Sequence, residues 1–166
     1  MHTADDGSRA LSQEVIGLLR ARGGTIAVAE SLTGGMAAAA LTSVPGASAA
    51  FRGGVVAYAT DLKAALLGVP AALLDLHGAV HPDVARAMAD GVRSRLGATV
   101  GAATTGVAGP DPQDGQPVGT VYIAVSAAGG TAVHALALSG GRQRIREATV
   151  ERLLGLLICR LREDDI

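Results

Sequence analysis

The sequence predicts an α/β domain of three layers, α/β/α, built on a mixed sheet that is partly parallel. Three observations carry this expectation. Short apolar runs at residues 25–29, 53–59 and 98–103 alternate with segments of helical periodicity, the pattern of strands joined by crossover helices. Later, residues 118–126 and 131–138 alternate as strands and are joined only by Ala127-Ala-Gly-Gly130, which makes them an antiparallel hairpin. The core is also drawn from small aliphatic side chains: 49% of residues are hydrophobic but only 2% aromatic, which suits helices packed closely on a sheet.

The elements follow in order. Residues 1–10 read as a frayed N-terminus, and 11–162 as one domain. Leu11, Val15, Leu18 and Leu19 recur at helical spacing over 11–22, with Ser8 or Ser12 as caps, and Gly23-Gly24 ends the helix. The strand 25–29 breaks through Ser31, Thr33, Gly34 and Gly35 into a helix running from 36 to about 42, before Pro45. A short helical turn over 47–52 precedes the strand 53–59, which delivers Tyr58 near its end. Thr60 or Asp61 caps a helix at 63–67, and a further helix begins at Val69-Pro70 and runs to Leu76. Pro82 opens the helix 83–96, with Val84, Met88, Val92 and Leu96 on one stripe. After the strand 98–103, residues 104–117 are rich in Gly, Pro and Asp and form a long loop of the kind that carries function. The final helix spans about 143–161, with Ile145, Ala148, Leu153, Leu156 and Leu157 facing the core.

Composition excludes several classes of function. A net charge of −1 gives no electrostatic footprint for nucleic acid. No stretch has the length and hydropathy to span a membrane, and the first ten residues are not a signal peptide. The single Cys159 rules out an internal disulfide, so a cytoplasmic protein is expected. Of the 14 basic residues Lys63 is the one lysine, leaving 14 − 1 = 13 arginines. An ammonium group that can lose its proton is the property arginine cannot supply, although an ordinary surface lysine satisfies the same count.

Chemistry in such sheets gathers at the carboxyl ends of the strands. Ser31 sits at one such end. There it can be a nucleophile facing a crevice, or Ser31 or Thr33 can simply cap the following helix. No Ser-His-Asp set is evident: His2 lies in the tail, His134 in the hairpin, and His77 and His81 flank a loop. The remaining activator is a lysine desolvated and held by a hydroxyl, which Lys63 and Tyr58 fit. Thr104-Thr105-Gly106 leaves its strand as the Ser31 turn does, and Arg142 could hold a phosphate or stand solvated. The acids and histidines lack metal-ligand spacing, and the glycines form neither a dinucleotide fingerprint nor a P-loop.

The runs Ala29-Glu-Ser-Leu-Thr-Gly-Gly35, Tyr58-Ala-Thr-Asp-Leu-Lys63 with Leu67-Gly-Val69, Gly78-Ala-Val80, Thr105-Gly-Val-Ala-Gly-Pro-Asp111 and Pro117-Val-Gly-Thr-Val121 stand in this order. Together they resemble the C-terminal domain family of the competence/damage-inducible protein CinA, over nearly the whole chain. The family includes nicotinamide-nucleotide amidohydrolases, which convert nicotinamide mononucleotide to nicotinate mononucleotide and ammonia. The resemblance implies Ser31 as nucleophile, Lys63 as its base and Tyr58 as the group that orients or helps deprotonate Lys63. Backbone N–H groups of the turn Thr33, Gly34 and Gly35 would hold the oxyanion. Thr105 and Gly106 match the ligand loop, and Arg142 or a helix start would take the phosphate. No metal or redox cofactor is implied, the partner is a small nucleotide, and a homodimer is expected. The chain departs from the family at Leu32, where a cysteine is usual and a larger side chain narrows or dries the site, and at His81, where serine is frequent. The larger N-terminal domain of two-domain members is not in this sequence, so a stand-alone protein of the short type is expected. The competing expectation is a module that binds a nucleotide or a protein partner without turnover.

Overall fold

The computed structural model describes residues 3–163 as a five-stranded mixed sheet with helices on both faces. Its elements are α1 (Thr3–Ala21), β1 (Ile26–Glu30), α2 (Met36–Thr42), β2 (Phe51–Val56), α3 (Thr60–Leu67), α4 (Ala71–His77) and α5 (Pro82–Arg95). Then come β3 (Val100–Gly106), β4 (Thr120–Ala127), β5 (Gly130–Ala137) and α6 (Arg142–Glu163), with a single 3-10 turn at Ala47–Ala49 before β2. The strand order is β2-β1-β3-β4-β5. β1 pairs in parallel with both β2 and β3, while β3–β4 and β4–β5 are antiparallel.

Alternation along β1 divides the core in two. Ile26 and Val28 join the apolar cluster under α1, α2 and α6, whereas Ala27 and Ala29 join the cluster under α3, α4 and α5. The small face lets α5 lie close to the sheet. At Gly101 in β3, an added Cβ would stand 2.2 Å from the Ala89 carbonyl oxygen of α5. At Gly91 in α5, it would stand 1.9 Å from the Leu67 carbonyl oxygen of α3. Both glycines are there because backbone approaches backbone, and the low aromatic content serves the same packing.

Several boundaries differ from expectation. α1 is helical from Thr3 rather than from 11, so the stretch expected to fray is structured from its third residue; residues 1 and 2 lie outside the described residues. Gly7 and Ser8 are tolerated because the following turns bury Val15, Ile16 and Leu19, and packing outweighs local propensity. Ser12 is buried inside the helix and caps nothing. β3 runs on through Thr104 and Thr105 to Gly106, since these β-branched residues pair with Ile123 and Tyr122 of β4. The loop expected from 104 therefore starts at Val107. α3 begins at Thr60 after Ala59, and neither Thr60 nor Asp61 caps it by a side chain.

The order β2-β1-β3 sets the site. From β1 the chain passes through α2 to β2 on one side, and from β2 through α3, α4 and α5 to β3 on the other. Their carboxyl ends, Glu30, Val56 and Gly106, therefore meet where the connections diverge, and a crevice opens at such a point.

Candidate active site

Ser31 is the first residue beyond β1. Its N–H donates to the Thr104 carbonyl oxygen of β3 at 3.2 Å, which ties the start of the turn to the neighbouring strand. The turn then needs left-handed backbone at Gly34 (φ 56°) and Gly35 (φ 101°) before α2 can begin, and glycine adopts this without strain. On the other side of β1, the Ala57 N–H donates to the Glu30 carbonyl oxygen at 2.9 Å. This places Ala57 and Tyr58 next to Ser31.

Lys63, in the first turn of α3, points back into this junction and is wholly buried at 0% exposure. Its Nζ donates to Ser31 Oγ at 3.0 Å, to the Ala57 carbonyl oxygen at 2.7 Å and to the Tyr58 carbonyl oxygen at a longer 3.4 Å. Burial pushes the amine down from 10.5 to about 8, against the opposing pull of Asp114 and Asp61. Two carbonyls thus fix two N–H bonds, and the third direction at nitrogen faces the serine hydroxyl. Neutral, that nitrogen presents its lone pair to Ser31 and can take its proton.

Beside Ser31 lies a cleft of about 90 Å³, bordered also by Leu32, Tyr58, Gly106, Asp111 and Arg142. Of the residues expected to bind substrate, it brings together Gly106 and Arg142. Arg142, at the start of α6, donates Nη1 to the Gly109 carbonyl oxygen at 2.6 Å and Nη2 to the Tyr58 hydroxyl at 2.8 Å. Tyr58 is 58% exposed, so its ring forms a wall of the cleft. Its hydroxyl does not reach Lys63; only its carbonyl does, which corrects the expectation that the phenol orients the base.

Four expected ligands are occupied otherwise. Thr33 is buried and its hydroxyl pairs with that of Thr104 at 2.8 Å. Thr105 donates its hydroxyl to the Ala79 carbonyl oxygen at 2.7 Å, tying down the loop after α4. The Gly34 N–H goes to the Ser31 carbonyl oxygen at 3.0 Å and the Gly35 N–H to Glu30 Oε2 at 3.1 Å. Neither glycine amide is free for an oxyanion. Among the described residues, the amides of Leu32 and Thr33 have no acceptor.

Sequence reasoning missed Glu30, Arg146 and Asp114. The buried carboxylate of Glu30 receives N–H groups of the α2 start, so neither Ser31 nor Thr33 is the cap and this helix start cannot take a phosphate. A signal was present: a glutamate closing an otherwise apolar strand must find buried donors. Asp114 accepts from the Ala79 N–H at 2.9 Å. The His81 side chain caps α5 by accepting from the Asp83 N–H at 3.2 Å and stacks on His77. Leu32 is buried in the core under α1, α2 and α6 as well as bordering the cleft. Among the described residues no cluster of His, Cys, Asp and Glu could hold a metal ion.

A family model described as the CinA C-terminal domain matches residues 8–161. The chain belongs to the CinA C-terminal domain family. A CinA-like protein of Frankia casuarinae is 56% identical over 154 residues, covering 93% of this chain and 35% of that protein. One from Anaeromyxobacter dehalogenans is 49% identical over 160 residues, covering 95% of the chain and 39% of that protein. The chain thus spans well under half the length of these curated relatives. Among solved structures, the competence/damage inducible protein CihA from Agrobacterium tumefaciens is 37% identical with a TM-score of 0.90, covering 95% of this chain and 96% of that one. A CinA superfamily protein from Klebsiella pneumoniae is 31% identical with a TM-score of 0.91, covering 95% and 99%. The CinA fold, a mixed sheet between helical layers, is therefore that of this chain.

Proposed function

We propose that this domain is an amidohydrolase that deamidates nicotinamide mononucleotide by a serine–lysine mechanism. The observation that carries the reading is the buried Lys63 Nζ, 3.0 Å from Ser31 Oγ and held by two carbonyl oxygens. Lys63, neutral, takes the proton as Ser31 Oγ attacks the carboxamide carbon, and returns it to the departing nitrogen as ammonia leaves. Water then attacks the acyl-enzyme with the same lysine as base, releasing the carboxylate. The amides of Leu32 and Thr33 are the donors left for the oxyanion, worth about 10²–10³ in rate for each well-placed donor.

The cleft is large enough for the carboxamide end alone, and the exposed ring of Tyr58 suits stacking on a pyridine. With the α2 start taken by Glu30, Arg142 is the cation available to the phosphate. The chain acts without metal or redox cofactor in this scheme.

The test is ammonia release from nicotinamide mononucleotide by the wild type beside Ser31→Ala and Lys63→Ala. Turnover in the wild type, reduced at least about 10³-fold in either variant, is expected. A folded wild type that binds the mononucleotide and releases no ammonia would overturn the proposal in favour of a binding module.

A further inference from the structure

Two ionisable side chains hold the turn between β1 and α2, and the chemistry above uses neither. Glu30, the last residue of β1, is buried. Its Oε2 accepts from Gly35 N–H at 3.1 Å and Ala37 N–H at 3.0 Å, and its Oε1 from Ala38 N–H at 2.9 Å. Arg146 of α6 donates Nε to the Leu32 carbonyl oxygen at 2.9 Å and Nη2 to the Thr33 carbonyl oxygen at 3.2 Å. Its Nη1 rests on Gln143 Oε1 at 3.2 Å. The N–H groups where the turn enters α2 are thus taken by a carboxylate, and the Leu32 and Thr33 carbonyls by a guanidinium.

We propose that Glu30 and Arg146 are positioning residues that clamp this turn from both sides and so hold Ser31 Oγ against Lys63 Nζ. The inference rests on the reading of Ser31 as nucleophile. The turn needs such support. Two consecutive glycines with positive φ leave the chain between Ser31 and α2 intrinsically loose. α2 has seven residues, too few to fix its own register, and the unpaired N–H groups of its start find acceptors in Glu30. Charge-assisted bonds to buried groups are the stronger kind, so the clamp is stiff where the backbone is not. Arg146 also fixes a direction: with the Leu32 carbonyl turned to the guanidinium, the planar trans peptide sends the Thr33 N–H the opposite way, away from α6. The same two side chains therefore govern the serine and the donor proposed for the oxyanion.

The experiment compares Glu30→Gln, Glu30→Asp and Arg146→Met with the wild type. It measures kcat and KM for ammonia release and the ¹⁵N NMR titration of the Lys63 ammonium, whose signal is unambiguous because the chain has one lysine. In folded variants, kcat is expected to fall about 100-fold with KM nearly unchanged, as for a reacting group misplaced by about an ångström. The Lys63 titration is expected to move up from about 8 towards 10.5 as water enters. In Glu30→Gln, loss of the negative charge alone would move it down, so an upward shift there is the mark of a displaced turn. In Arg146→Met, loss of the positive charge itself moves it up, so that variant is read by kcat and KM. Glu30→Asp keeps the charge but is one methylene short, and it should fail to restore kcat. Folded Glu30→Gln and Arg146→Met with wild-type kcat and titration would overturn the clamp. If Glu30→Gln does not fold, Arg146→Met decides alone, because its guanidinium lies at the edge of the core. If the wild type releases no ammonia, the proposed function falls, and the titration still reads whether the clamp sets the Lys63 environment.

Discussion

Lys63 combines full burial with three acceptors, and this pairing decides its chemistry. An ordinary lysine at pH 7 is neutral in only about 0.03% of molecules, whereas one at about 8 is neutral in roughly one in ten. The reactive form becomes more abundant as pH rises, so kcat/KM is expected to climb almost tenfold per unit up to about pH 8 and level off above it. A steady-state profile from pH 5.5 to 9.5 checks this; a flat profile across pH 7–8 would exclude Lys63 as the base. Two signals of this residue were legible in the sequence, its singularity and its place after a strand end. What could not be read was the partner set. The Tyr58 phenol, close in sequence, turns to Arg142, while the Tyr58 backbone carbonyl does the holding. Sequence motifs name side chains, and here the lysine is oriented largely by main chain.

At the scale of elements, the site depends on how closely α3 is held to α5, because α3 carries the base. Gly91 governs that approach. In an exposed helix, Gly→Ala stabilises by about 1 kcal/mol through backbone entropy. Here the new methyl would meet the Leu67 carbonyl oxygen at 1.9 Å, so Gly91→Ala is expected to destabilise by about 1–3 kcal/mol, the range of overpacked cores. Urea unfolding reads the sign, and ammonia release should fall with it as α3 is displaced. The element order, the parallel and antiparallel parts of the sheet and the long helices were legible from periodicity. The helix starts were less so. Ser31, Thr33, Thr60 and Asp61 have the chemistry of caps, but the first N–H groups of α2 go to the Glu30 carboxylate of the preceding strand and α5 is capped by His81. Propensity at a boundary is worth about 1 kcal/mol, and a buried carboxylate in need of donors outweighs it.

For the whole molecule, an amine kept near 8 in a fold and at 10.5 in the unfolded chain couples stability to pH. Between these values the unfolded state holds more protons than the native state, so stability rises with pH across that window. Below about pH 8 the full penalty of burying the charge is present, of the order of 3 kcal/mol. Lys63→Met, of similar length, removes the titration. It is expected to unfold at a higher temperature than the wild type at pH 7, with the gap closing as pH passes from 8 to 10.5. A gap independent of pH would show that burial of the ammonium is not what the fold opposes. The three-layer architecture was readable because apolar runs alternate with helical periodicity and end in a tightly connected hairpin. The division of the core into a large-residue and an alanine face was not, since it depends on which face of each strand meets which helix.

With the one lysine sealed at the strand ends, the other thirteen of the 14 lysine and arginine side chains are guanidinium groups. Acylating reagents and acetyl-transferring enzymes that seek ε-amines therefore find none on the outer surface of the described domain. Lys63 itself is fully buried against Ser31, so a reagent that modifies it must first have opened that junction. Acylation at that position would thus report on opening of the strand ends rather than on the surface.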